Sequence, residues 1–259
     1  MSLQGAKSES YFLKTLSGLH TGCGENDTNI DQPVERESIT GYPKLESTAI
    51  KGMLMSQSKE TKQEFERNQH IALTDFKLLY MPVHTTPGFF KYATCPHILE
   101  RFFSDLISHK QEEEEAKLLL DEISMINEEC VYQFKKKEEM IHIGNSVFDV
   151  KYFNSVPKCL DNIKDKLLIL DNENFKWISR EMTEQVKRNK LDENGKSLNL
   201  FSKEYVPESS VFYGFVVKFP DVKKNIKMSE NIINTKTHYY LGGDRALGKG
   251  KILFEKEVI

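Results

Sequence analysis

Strand-like and helix-like segments follow one another along this chain in an order that only a mixed architecture accommodates. Residues 10–17 read as a strand, and 18–33 as a loop rich in the Gly, Asn and Asp that supply turns. Ser47 or Thr48 can cap a helix running to about Met55, with Ile50, Met53 and Leu54 on one side. Bulky alternating residues predict a strand over 71–83 and a partner over 89–94, joined through Pro87-Gly88. Pro96 suits the first turn of a helix, and Ile98, Leu99, Phe102, Phe103 and Leu106 give that helix an apolar stripe. Residues 112–125 predict a second helix, acidic at its start as the helix dipole prefers. Gly144-Asn145 centres a hairpin over 141–153, and Asn194-Gly195 centres another over 186–201. Between them, 172–182 reads as a short helix holding Trp177. A buried-type strand over 210–219, an amphipathic helix over 222–233, and strands over 238–241 and 251–258 complete the chain. The pattern is α+β. A modified ferredoxin-like, or RRM-like, β-α-β-β-α-β palm fits a single domain, 1–259, if 10–56 and 203–259 form it. Residues 57–202 are then insertions, partly extended arms.

Composition closes off several classes. Hydrophobic residues are 39% and charged residues 29% of the 259, a globular balance rather than a disordered one. No apolar run approaches the roughly 20 residues that span a bilayer. The first ten residues carry no secretory leader pattern, which sets the expectation of a cytoplasmic protein without a membrane partner. Cys23, Cys95, Cys130 and Cys159 are widely spaced and form no zinc pattern, so reduced thiols are expected. The net charge of −3 argues on its face against nucleic acid. The average conceals an asymmetry, because 111–130 holds eight acidic residues and one lysine, and the remainder carries +4. A local basic surface is therefore permitted.

Four segments carry candidate chemistry. Gly18, Gly22 and Gly24 surround His20 in a loop whose backbone can approach a ligand closely; a plain loop after an edge strand is the alternative. Asp31, before Gln32-Pro33, could hold a metal or deprotonate a hydroxyl, or simply bond its own turn. Lys51, in the first helix, could meet phosphate or face solvent. Gly242, Gly243, Gly248 and Gly250, with Arg245 and Lys249, suit a loop that hugs phosphate; the order is not a Walker A sequence, and a bulged hairpin is the alternative. Cys95-Pro96-His97 is discounted as a nucleophile pair, because adjacent residues entering a helix rarely face each other.

These segments occur together and in order. The glycine loop, Asn29 to Glu37 (NIDQPVERE), Thr40 to Pro43 (TGYP) and the helix ending Ile50-Lys51-Gly52 resemble the N-terminal signature of RAMP proteins. Residues 72–102, 187–214 and 241–250 resemble later blocks of the backbone subunit of type III-B CRISPR (Cmr) effector complexes. The resemblance implies an RRM-like palm and a thumb hairpin, placed here near 186–201. It implies copies stacked as a filament on CRISPR RNA, beside a small subunit, capping RAMP subunits and a large polymerase-like subunit. It implies endonucleolytic cutting of paired target RNA next to nucleotides that each thumb displaces, with a divalent metal of the Mg2+ kind. The family's catalytic aspartate matches Asp31, also the implied metal contact, and its loop histidine matches His20, a second catalytic candidate that could instead contact the guide or stabilise the loop. Gly22, Gly24, Lys51, Gly242, Gly243, Arg245, Gly248, Lys249 and Gly250 match RNA-binding positions. Thr48-Ala49 replaces a frequent serine pair, Cys23 a frequent serine and Glu46 a frequent proline, departures that touch guide contact rather than Asp31. Two further readings stand beside this one: a guide-binding scaffold that does not cut, and a guide-processing nuclease centred on His20.

Overall fold

A computed structural model describes residues 6–22, 30–57, 62–63, 71–109, 121–123, 126, 130–135, 138–153, 156–219 and 232–258. The N-terminal third contributes β1 (Lys7–Thr15), β2 (Lys44–Leu45), α1 (Ser47–Gln57), β3 (Ile71–Leu73), β4 (Phe76–Thr86) and β5 (Phe89–Thr94). The middle contributes α2 (Pro96–Ser108), β6 (Cys130–Gln133), β7 (Met140–Ile143), β8 (Ser146–Tyr152), β9 (Leu167–Ile169) and α3 (Asn172–Glu181). Then come β10 (Glu184–Leu191), β11 (Ser197–Tyr205), β12 (Val211–Lys218), β13 (His238–Tyr240) and β14 (Lys251–Glu255). Most of the expected elements are present. The helix expected over 112–125 lies outside the described residues except at 121–123, which are helical, and 222–231 lies outside them altogether. No helix among the described residues is long and apolar enough to cross a membrane.

Twelve strands form one sheet with the path β13-β14-β1-β12-β4-β5-β9-β6-β8-β7, β2 and β3 pairing at its sides. All eight residues of β12 are buried, as a strand covered on both faces requires. It pairs antiparallel with β1, β3 and β4. Alternating side chains build two aromatic clusters on opposite faces of β1. Phe12 meets Phe102 of α2, which also packs edge-on against Tyr213. Tyr11 meets Phe254, which packs on Phe76 and Tyr239. Residues 71–86, from the stretch expected to be inserted, thus pair directly with β12.

The path also closes on itself. β7 pairs with the end of β4 through Thr85↔Ile143, so β4, β5, β9, β6, β8 and β7 form a barrel-like ring. Two of its seams are parallel, β5–β9 and β6–β8.

Two local expectations change. The strand expected over 71–83 is broken at Thr74-Asp75, where Thr74 bonds both ways with the backbone of Phe215. The break frees Asp75, whose carboxylate accepts the Ser47 amide at 2.8 Å and so caps α1 from 28 residues away. Glu46 supplies the first helical carbonyl, where Ser47 or Thr48 was expected to be the cap.

Among the strands of the described residues, β10 and β11 pair with each other alone, in a two-stranded ribbon apart from the main sheet. The expected hairpin over 186–201 is present and longer, and most of its residues are exposed.

Candidate RNA-facing site at the root of the ribbon

The root of the ribbon organises both expected catalytic residues, because the outer edge of β11 is occupied there. Gln32 donates to the Ser202 carbonyl at 3.1 Å, and its own carbonyl accepts from Glu204 N–H at 3.0 Å. Two residues further, Leu19 and Val206 exchange bonds of 2.9 and 2.8 Å. The loops after β1 and around Asp31 therefore dock as short extra strands on one edge. The Glu204 carboxylate fixes the same junction from beneath, 2% exposed. It accepts the Val34 amide at 2.9 Å and Arg36 at 2.5 Å, which compensates its burial.

Asp31 is exposed, and its shortest contacts run to the ribbon. Oδ2 accepts from the amide and from the hydroxyl of Ser202, each at 2.7 Å, while Asp31 N–H donates to the same hydroxyl at 3.0 Å. Those bonds stabilise the charged form and hold the carboxyl below the usual carboxylate range. Asp31 is thus an ionised carboxylate in a fixed orientation at physiological pH.

His20 is buried, with Nδ1 2.8 Å from the Glu204 carbonyl. A carbonyl only accepts, so Nδ1 carries the proton and Nε2 keeps its lone pair. Burial pushes the imidazole below its ordinary value, so the ring is neutral at pH 7. The backbone of Gly242 passes against it. A Cβ on Gly242, at φ +77°, would stand 2.0 Å from the His20 carbonyl oxygen, so both contact and conformation require glycine. His20, Gly22, Gly242 and Gly243 line a groove of about 320 Å³ with Glu35, Glu46, and Thr48 and Ala49 at the start of α1. At the helix N-terminus the Ser47 amide is taken by Asp75 and the Ala49 amide by the Glu46 carbonyl, and the two carboxylates at the rim limit how much negative charge enters.

The C-terminal glycine loop leans on the ribbon as well. Asp244, in the left-handed conformation, pairs with Arg188 and Lys203 at 2.9 Å each and accepts from the Tyr205 hydroxyl at 2.6 Å. Burial alone would raise its pKa, but these partners outweigh burial and lower it to about 2. Lys249 pairs with Glu184 at 2.7 Å and lies over the Tyr205 ring, while Arg245 reaches the Tyr240 carbonyl at 3.3 Å. Gly250 donates to the Gly18 carbonyl, and the left-handed Gly248 faces open space. Lys51 lies on the exposed side of α1 and does not line the groove, and Gly24 lies outside the described residues.

The structure therefore gathers His20, Gly22, Gly242 and Gly243 in one groove and sets Asp31 on the adjoining ribbon edge. Ser202, Glu204, Tyr205, Arg188 and Asp244 join the site without having been expected. The Ser202–Asp31 contact spans 171 residues, and no spacing rule reaches that far. Cys95 is excluded as a nucleophile, because burial pushes its thiol up to about 11.

Metal binding has a narrow basis here. Among the described residues no three His, Cys, Asp or Glu side chains gather into a ligand set. A resident, fully protein-bound ion does not fit that donor set. One carboxylate, Asp31, does fit a hydrated Mg2+ whose other ligands are phosphate oxygens and water.

Residues 12–253 match the RAMP superfamily. Over 272 residues the chain is 29% identical to the CRISPR system Cmr endoribonuclease Cmr4 of Pyrococcus furiosus, covering 92% of each protein. It is similar to a chain of the type III-B Cmr-beta structure bound to cognate target RNA, with TM-score 0.80, 19% identity and 96% of each chain covered. It is also similar to oligomeric Cmr4 from Pyrococcus furiosus, with TM-score 0.73, 22% identity, and 98% and 99% covered. These structural likenesses show a common fold.

Proposed function

The chain belongs to the RAMP superfamily, and from that premise we propose that it is the backbone subunit of a cytoplasmic type III-B CRISPR ribonucleoprotein. In this reading, copies pack head to tail along a CRISPR RNA, with the small subunit, the capping RAMP subunits and the large polymerase-like subunit as partners. Each copy cuts the paired target RNA endonucleolytically. The name endoribonuclease borne by the Pyrococcus furiosus relative supports the activity. The antiparallel order β14-β1-β12-β4 supports an RRM-like palm, since the chain visits these strands last, first, third and second. That palm takes in β3 and β4 as well as both ends of the chain, and the β10–β11 ribbon is its thumb.

The observation that carries the reading is Asp31: an exposed, ionised carboxylate clamped to the root of a ribbon that stands apart from the sheet. RNA cleavage requires the 2′-oxygen to attack the adjacent phosphorus in line as the P–O5′ bond breaks. Holding that geometry is worth roughly 7 kcal/mol at best. Displacing a nucleotide frees the backbone to reach it, at about a few kcal/mol of lost stacking. Asp31 orients the 2′-hydroxyl and accepts its proton. His20, neutral with Nε2 unprotonated, suits a ribose hydroxyl of the guide better than a phosphate. Gly22, Gly242 and Gly243 let the RNA backbone approach closely, Lys51, Arg245, Gly248, Lys249 and Gly250 extend the grip, and base pairing supplies the sequence choice. When Mg2+ is bound, Asp31 holds it together with the RNA, and it neutralises charge on the phosphate.

In a complex assembled on guide RNA, Asp31→Asn is expected to slow cutting of complementary RNA by roughly 10²- to 10⁴-fold while guide and target binding persist. Undiminished cutting at every site removes Asp31 from the chemistry. The lone carboxylate also favours a second reading, a guide-binding scaffold without activity. Wild-type complexes that bind target but leave it whole at every metal concentration would establish that one.

A further inference from the structure

We propose that Ser202 is the positioning residue of this site, fixing the Asp31 carboxylate to the ribbon so that carboxylate and displaced nucleotide share one frame. The inference rests on the cutting reading above and adds a residue to it. An exposed loop aspartate ordinarily turns back on its own backbone two residues on. Asp31 instead forms a reciprocal clamp. Its Oδ2 takes both donors of Ser202, amide and hydroxyl, and its own amide gives a bond back to that hydroxyl. The hydroxyl thus works as donor and acceptor at once, which no Ala, Val or Cys at this place reproduces. The two shortest bonds to the Asp31 carboxylate thus come from an element other than its own.

The direction of the clamp matters. Ser202 lies on β11, the strand that returns from the Asn194-Gly195 tip to the root. Its amide and carbonyl face the outer edge, where Gln32 docks, so the Asp31 segment and the ribbon are one rigid piece at this level. A nucleotide held against the ribbon therefore meets a carboxylate already oriented.

Ser202→Ala removes the two hydroxyl bonds and leaves the backbone bond. In the complex assembled on guide RNA, it is expected to slow cutting by about 10- to 100-fold with guide and target binding unchanged. The loss is expected in turnover, with the target concentration at half-maximal rate unchanged. Ser202→Thr keeps the hydroxyl and is expected to restore the rate. A loss that appears in target affinity rather than in turnover, or a Ser202→Thr no better than Ser202→Ala, overturns the positioning role, as does wild-type cutting by Ser202→Ala. Asp31→Asn run in parallel separates the two levels. If it cuts normally, the cutting reading itself has failed; if it is dead while Ser202→Ala matches wild type, only the positioning role has.

Discussion

The six-stranded ring and the β10–β11 ribbon are both built of strands, yet they treat apolar side chains in opposite ways. In the ring, Val83, Val131, Ile141, Ile143 and Leu168 are at most 2% exposed. In the ribbon, Leu191, Leu198 and Leu200 are 54%, 61% and 63% exposed. The ring is stabilised by burial, and closing β7 onto β4 leaves it few free edges. A two-stranded ribbon with its leucines in water gains almost nothing that way and is marginal by itself. It is held instead from its root, by the Asp244 cluster and by the loops docked on β11. Apolar residues that do not stabilise the chain are available to stack against something else, and that something is nucleic acid in the function proposed here.

Three experiments bear on this contrast, beginning with the largest effect. Ile141→Ala, in the ring, is expected to cost about 2–5 kcal/mol, read by chemical denaturation of the whole chain. A loss confined to a fraction of that would mean the ring is not a packed unit. Next, the root should respond to acid where the ring does not. Asp244 is held at about 2 in the folded chain, below the 3.8 of a free aspartate, so its contribution is present above about pH 4 and is lost as pH falls towards 2. Hydrogen exchange in β10 and β11 is expected to rise through that window before exchange in the ring does. Asp244→Asn should show the loosened root already at pH 7, by about 1–3 kcal/mol of local opening free energy. Last, Leu200→Ser is expected to change stability by less than about 0.5 kcal/mol. A larger loss would show that the exposed leucine packs on the protein after all, and the contrast would fall.

How much of this was legible beforehand differs between the two regions. The ribbon announces itself, because Asn-Gly between alternating segments has few other solutions. Its reach was underread, since Lys203, Glu204 and Tyr205 look like ordinary charged surface until the loops dock on them. Four of the ring's strands, β4, β5, β7 and β8, were legible, but its closure was not. It depends on β6 and β9, four and three residues long, and on parallel seams that join segments far apart in sequence. No period-two signal survives over so few residues. The site divides in the same way. His20, Asp31 and the two glycine loops stand out by residue type and by their resemblance to a family. Ser202 and Asp75 do not, because a hydrogen bond to a partner 171 or 28 residues away leaves no trace in local composition.

Considered as mechanics, the ribbon is a cantilever. The seven steps from Gly195 to Ser202 give it an arm of about 23 Å at the ordinary rise of an extended strand. A rotation of about 5° at its support moves the free end by about 2 Å. The coupling runs both ways, so a load on the tip becomes torque at the support, and the support is where Ser202 grips Asp31. Whatever presses on the end of the ribbon is therefore felt, with leverage, at the carboxylate.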